Sequence, residues 1–174
     1  MAFTTTFTGT TSGVRTDVFN VDFSVGFGGR GNRQDDVMLV QALFRILHFE
    51  LSEDGGEGFP PPSGVERIAV DGLMGPITSK CINNLQRELK NQGVPILLDG
   101  ILDPFRKQEQ LSTRARVRYA LEGLNATVFA NCKDAGLRNY IDLPRRDDLP
   151  KALTGALQQR RTVARQYQGS QSPA

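Results

Sequence analysis

Apolar residues fall along this chain in two periods, and the change of period divides it. Residues 3 to about 25 are rich in Thr and Val, with Arg15, Asp17, Phe19, Val21, Phe23 and Val25 alternating on one side from position 14. That is strand periodicity, and Thr10-Thr11-Ser12-Gly13 supplies the turn of a hairpin. A lone hairpin is marginal in water, so this arm is expected either to pack on the rest of the chain or to pair with another chain. From Asp35 the period lengthens. Val37, Val40, Leu43, Phe44 and Leu47 make one helical stripe over about 35–49. Ile77, Cys81, Ile82, Leu85 and Leu89 make a second, with Lys80, Asn84, Arg87, Glu88 and Lys90 mostly opposite, and Gly93 and Pro95 end it. Ser112 or Thr113 can cap a third, long helix whose apolar face is Val117, Ala120, Leu121, Leu124, Val128 and Cys132, closed by Gly136. Asp148 before Leu149-Pro150 starts a last helix, with Leu153, Ala156 and Leu157 inward and residues 158–165 polar.

Between the helical stripes one turn is written twice. Asp71-Gly72-Leu73-Met74-Gly75-Pro76 follows Ala69-Val70, and Asp99-Gly100-Ile101-Leu102-Asp103-Pro104 follows Leu97-Leu98. Gly accepts positive φ in such a turn, Asp bonds the backbone beyond it, and Pro suits the first turn of a helix. Each unit therefore reads short strand, turn, helix. Asp71 and Asp99 are turn and capping residues on this reading, and Met74 and Leu102 plug the core.

The order of these motifs resembles the peptidoglycan-binding-domain-like family, whose signature is Asp-Gly-x-Phe-Gly-x-x-Thr followed by a helix ending in an aromatic-Gln pair. Asp71, Gly72, Gly75 and Thr78 stand in register, Met74 takes the aromatic position, and Leu85-Gln86 stands for the aromatic-Gln pair. Upstream, Asp35-Asp36-Val37 and Leu39-Val40-Gln41-Ala42-Leu43 resemble the family's first helix. The second copy departs, with Asp103 for the second Gly and Phe105-Arg106 without the Thr. The resemblance spans about residues 32–124. It implies a mainly α fold: a three-helix module with two very short strands, here with an N-terminal β-hairpin or arm and an extra C-terminal helix. It also implies wall recognition near Asp71, Met74, Thr78 and the facing first helix, with Gly72, Gly75, Pro76, Asp99, Gly100 and Pro104 shaping the turns.

Composition changes this picture in detail. The chain divides into an arm and Gly-rich loop (1–31), the helical module (32–136) with a flexible insertion (52–67), a helical extension (137–168) and a disordered tail (169–174). The insertion, with Glu53-Asp54-Gly55-Gly56-Glu57-Gly58 and Pro60-Pro61-Pro62, stands where the resembled family has a short connection, so it either caps the module or contacts a partner. Gly26-Phe27-Gly28-Gly29-Arg30-Gly31 lacks the Gly-Lys-Ser/Thr ending of a phosphate loop and reads as a linker. Positions 1–105 carry 8 Lys+Arg against 13 Asp+Glu, and 106–174 carry 13 against 6, giving −5 and +7. Opposite halves favour head-to-tail contacts or an acidic partner. The basic residues are not interleaved with aromatics, there is no Trp, and nucleic acid is not the expected partner.

Catalysis finds little support. One His cannot furnish the ligands of a zinc peptidase, and His48 reads as a packing or capping residue. Cys81 and Cys132 fall on apolar helix faces without CxxC spacing, as buried free thiols. Asp35-Asp36 and Asp147-Asp148 suit helix starts. No catalytic residue, metal or cofactor is expected. No apolar window approaches a membrane span, and the opening Met1-Ala2-Phe3-Thr4-Thr5-Thr6-Phe7 lacks a basic leader. The expected location is the cytoplasm, or a non-classical route of export. Two functions follow: a non-catalytic module binding cell-wall peptidoglycan, or a structural component of a phage particle or contractile injection machine. In the second, residues 1–25 would pair with a neighbour and give a homo-oligomer.

Overall fold

Strand β1 (Phe3–Thr8) pairs antiparallel with β2 (Arg15–Asn20), Phe3 opposite Asn20 and Thr8 opposite Arg15, at the head of a mainly helical chain. The computed structural model describes residues 1–8, 15–29, 31–105 and 117–161. Helix α1 (Gln34–Arg45) runs without a break into a π-helical turn (Ile46–Glu50) and the short α2 (Leu51–Glu53). Then come α3 (Pro76–Asn91), α4 (Ala120–Asp134), a 3-10 turn (Leu143–Arg145) and α5 (Lys151–Leu157). The predicted stripes meet in one core: Val40, Leu43 and Phe44 of α1, Cys81 and Ile82 of α3, Leu121, Leu124 and Val128 of α4, Leu153 and Leu157 of α5. Ile77 departs from its stripe and is 43% exposed, because α3 has only just begun there, at the Pro76 start.

Of the two outcomes open to the arm, it takes the first and packs on its own chain. Phe19 and Val18 of β2 are buried in the common core. The outer edge of β2 is met by a side chain: Asn125 Oδ1 accepts from Phe19 N (3.0 Å) and its Nδ2 donates to Phe19 O (2.9 Å), as a neighbouring strand would. The outer edge of β1 is met by the chain leaving α5. Thr4 N donates to Gln159 O (3.0 Å) and Arg161 N donates to Thr4 O (2.9 Å), forming a parallel bridge. An edge whose polar groups are paired no longer offers a template there. The expected polar continuation of the last helix is thus corrected: α5 ends at Leu157, and residues 159–161 join the hairpin.

Strand alternation stops at Asn20. The backbone N–H groups of Asp22 and Phe23 donate to the fully buried Asp36 carboxylate (3.2 and 3.1 Å), which bends the chain. Past the bend Val25 is buried and Phe23 is not, so they do not share a face. Burial pushes the Asp36 carboxyl up to about 6, against the two N–H bonds. The Gly-rich stretch is no linker. Asn32 closes it by bonding Gly26 N and O (2.8 and 2.9 Å), and Val25 pairs with Leu102 beside the second turn. Gly26 has φ 147°, and a Cβ there would stand 2.2 Å from Gly100 O, so a side chain is excluded twice over.

The insertion caps the module. Phe59 N donates to Leu47 O (3.0 Å) and Val65 is buried. Helix α4 starts at Ala120 after extended Tyr119 rather than at a Ser or Thr cap; Ser112 and Thr113 lie outside the described residues, as does the expected tail. Opposite charges of the two halves meet within the chain. Arg160 pairs with Asp17 and Arg161 with Asp22 (both 2.7 Å), while Arg146 forks onto Glu50 at 2.6 and 2.8 Å. Burial raises the Glu50 carboxyl, but Arg146, Asn139 and Arg45 outweigh it and hold the group below its ordinary value. Arg146 beside Asp148 holds that carboxyl down to about 2.

Candidate functional site

The doubled turn is built on a buried glutamine from the preceding long helix. Gln41 of α1 donates through Nε2 to Asp71 Oδ1 (2.9 Å), Leu73 O (3.1 Å) and Thr78 Oγ1 (3.2 Å). Its Oε1 accepts from the backbone N–H groups of Asp71 (3.1 Å) and Gly72 (2.9 Å). Gln86 of α3 repeats the arrangement on the second copy. Nε2 donates to Asp99 Oδ1 and Ile101 O (both 2.9 Å), and Oε1 accepts from Gly100 N (2.8 Å). In each copy the Asp carboxylate also accepts from the N–H two residues on, Leu73 (2.9 Å) and Ile101 (3.0 Å), the Asx turn that the sequence predicts. A primary amide has two donors and an acceptor with two lone pairs, so one side chain satisfies several turn groups at once.

The expected ligand residues sit around Gln41: Thr78 is buried and Met74 half-buried, while Asp71 is exposed at the turn. Thr78 is 2% exposed and bonded, Met74 is half-buried against the core, and the Asp71 carboxylate serves two internal donors. Gly72 and Gly100 take positive φ (75° and 71°), Gly75 is the extended residue before α3, and Pro76 is its first residue. In the second copy Asp103 accepts from Ser24 Oγ (2.5 Å), and Pro104 leads to buried Phe105. Asp103, which stands where the first copy has Gly75, thus fastens the arm to the turn. Gln41 and Gln86 entered the sequence reading only as letters of a motif. Their signal was physical: Gln41 lies within an otherwise apolar α1 stripe, and Gln86 stands beside Leu85.

Open surface lies along α3. A groove of about 570 Å³ is lined by Lys80, Asn83, Asn84, Arg87, Glu88 and Asn91 of this helix, with the Pro62 and Ser63 loop as its other wall. A second, of about 500 Å³, lies where the end of α3 meets α4 among the described residues, with Gln92, Val94, Ile96 and Tyr119 in its wall. Both reach the same small notch: Asn84 and Glu88 line it from the first groove, Leu89, Gln92 and Thr127 from the second.

The two cysteines and the histidine are buried. Burial pushes the Cys81 thiol up to about 11 and raises Cys132 too, leaving neither as a ready thiolate. Burial also lowers the His48 pKa, against the Phe59 carbonyl, so the neutral ring is favoured. Among the described residues no group of three or more His, Cys, Asp or Glu could hold a metal ion, and no helix is long and apolar enough to cross a membrane. Comparison of the chain with protein-family models, with curated proteins and with solved structures found no match.

Proposed function

We propose that this protein is a non-catalytic binding module for bacterial cell-wall peptidoglycan, and that the outer face of α3 is its recognition surface. The observation that carries the reading is the α3 groove, whose wall offers three side-chain amides (Asn83, Asn84, Asn91) and two cations (Lys80, Arg87). Amides donate to and accept from sugar hydroxyls and peptide groups, and cations meet the carboxylates of peptide stems. Peptidoglycan presents all of these along one polymer. A helix fixed at its start by the Gln41 turn and at Gln86 by the second turn is a rigid platform for such contacts. The Asp-Gly turns support the reading as scaffold, through the resemblance to wall-binding modules, and the ligand contacts move from Asp71, Met74 and Thr78 to the adjoining α3 face.

The assembly reading rested on a free β arm and on separated charges. Among the described residues the arm meets Asn125 and Gln159–Arg161, and Arg146, Arg160 and Arg161 are ion-paired, which favours the wall reading.

Purified protein mixed with insoluble sacculi is expected to sediment with them at low salt, and Lys80→Glu/Arg87→Glu to stay largely in the supernatant with an unchanged circular dichroism spectrum. Equal sedimentation of both proteins would remove the α3 groove from the account; failure of the wild type to sediment would remove wall binding.

A further inference from the structure

The chain contains three Asp-Gly pairs, at 54–55, 71–72 and 99–100, and the fold holds two of them while leaving the third loose. Asp-Gly is prone to close on itself as a succinimide, because glycine carries no side chain to hinder attack of its nitrogen on the preceding carboxyl. Closure asks for a glycine N–H that is not held elsewhere and a carboxyl that can turn onto it. At the doubled turn both are engaged. Gly72 N donates to Gln41 Oε1 (2.9 Å) and Gly100 N to Gln86 Oε1 (2.8 Å). Asp71 Oδ1 accepts from Gln41 Nε2 and Leu73 N, and Asp99 Oδ1 from Gln86 Nε2 and Ile101 N. The surroundings are tight as well: a Cβ on Gly72 would meet Gln34 Cγ at 2.4 Å, and one on Gly100 would meet Asn83 Oδ1 at 3.0 Å. Asp54-Gly55, at the end of α2, is exposed at both residues. Gly55 N reaches Ser52 O only at 3.4 Å, and a Cβ on Gly55 would meet nothing within 4 Å. Among the described residues one hydrogen bond holds the carboxylate, from Asn139 Nδ2 to Asp54 Oδ2 (3.0 Å), at the exposed surface.

We infer that Asp54-Gly55 is a site of spontaneous isoaspartate modification, and that Gln41 and Gln86 shield Asp71-Gly72 and Asp99-Gly100 from the same reaction. The chemistry needs no reagent but water. Gly55 N attacks Cγ of the Asp54 carboxyl and gives up its proton, the carboxyl hydroxyl leaves as water, and a five-membered succinimide remains. Water then adds to one of the two ring carbonyls. Opening at one restores aspartate; opening at the other routes the main chain through Cβ and leaves the α-carboxyl as the side group. The net change is an isomerisation without change of mass. Asp54 stands at ψ 9°, so its peptide must rotate before the ring can close. Gly55, at φ 85° with open space around it, can follow that rotation, whereas Gly72 and Gly100 must first break their bonds to the glutamines. The consequence at Asp54 is local. Asn139 Nδ2 also donates to Glu50 Oε2 (3.0 Å), so losing the Asp54 contact leaves the Glu50–Arg146 fork in place.

The test ages the full-length protein at neutral pH, folded and in urea, and follows isoaspartate by enzymatic methylation and peptide mapping. In the folded protein the pair at 54–55 is expected to isomerise at least about tenfold faster than those at 71–72 and 99–100, whose closure waits for the clamp to open. In urea all three should react at comparable rates, which assigns the difference to the fold. Gln86→Ala should raise the rate at Asp99 and leave Asp54 unchanged, with Gln41→Ala doing the same at Asp71, while Asp54→Glu removes the native signal. Isomerisation at 71–72 or 99–100 as fast as at 54–55 in the folded wild type would overturn the inference. So would a 54–55 pair that reacts in urea and stays silent when folded, or a folded Gln86→Ala protein whose Asp99 remains as inert as before. Where a glutamine variant fails to fold, the comparison of folded and urea-treated wild type decides.

Discussion

Gln41→Ala is expected to lower the unfolding free energy by about 3–5 kcal/mol, the largest loss from any single polar side chain of the module. The substitution removes five contacts of one buried amide: Nε2 shares its two hydrogens among Asp71, Leu73 and Thr78, and Oε1 accepts from the N–H groups of Asp71 and Gly72. The net worth of each bond is small, because water would replace it in the unfolded chain. The deficit comes from what stays behind, since Gly72 N and Thr78 Oγ1 are buried and lose a partner that water cannot easily replace. The turn also cannot relax by moving inward. Gly72 already sits so close to Gln34 that a Cβ there would meet Gln34 Cγ at 2.4 Å. Gln86→Ala removes three such bonds around a more exposed turn and should cost about 2–3 kcal/mol. Urea unfolding followed by circular dichroism measures both. A loss below about 1 kcal/mol for Gln41→Ala would mean that the first turn is held by something else.

Asn125→Ala should cost about 3–4 kcal/mol. Both ends of this amide are used. Oδ1 accepts from Phe19 N and from Tyr140 Oη (2.7 Å), while Nδ2 donates to Phe19 O and Leu121 O (2.9 Å each). The residue is 2% exposed, so truncation strands the Phe19 peptide groups and leaves the Tyr140 hydroxyl only the longer contact to Asp17 O (3.3 Å). Asn125→Asp is no remedy, because a carboxylate cannot donate to the two carbonyls. The variant carries a second signature: with the β2 edge unpaired, the hairpin regains the template that Asn125 covers. Concentration-dependent association on size-exclusion chromatography, absent in the wild type, is expected to accompany the loss of stability. A variant as stable and as monodisperse as the wild type would show that the edge needs no cover.

What the sequence disclosed and what it hid follow from the range of the interactions. The helices were legible because apolar spacing and the Gly75-Pro76 start are local, and α3 opens at the residue these features indicate. The hairpin was legible from alternation as far as Asn20; the bend that follows depends on Asp36, in a helix whose acidic pair reads as a dipole partner. Gly26-Gly31 read as a linker because the demand for glycine arises from Gly100, far along the chain. The charge imbalance was visible and its use was not, since Arg160 and Asp17 are 143 positions apart. For the site, the Asp-Gly repeat drew attention to Asp71, Met74 and Thr78, the residues that amphipathic spacing cannot distinguish from scaffold. The polar face of α3, with Lys80, Asn84, Arg87 and Glu88 opposite the core stripe, was written in the same pattern and lines the groove.

The central claim is that the two turns are internal clamps and that α3 presents the recognition face. Backbone amide shift mapping with a soluble disaccharide-peptide fragment of peptidoglycan tests it most directly. The account predicts that the perturbed amides cluster at Lys80, Asn83, Asn84, Arg87, Glu88 and Asn91, while those of Asp71, Gly72, Asp99 and Gly100 stay still. Shifts concentrated at Asp71, Met74 and Thr78, with the outer face of α3 silent, would contradict it.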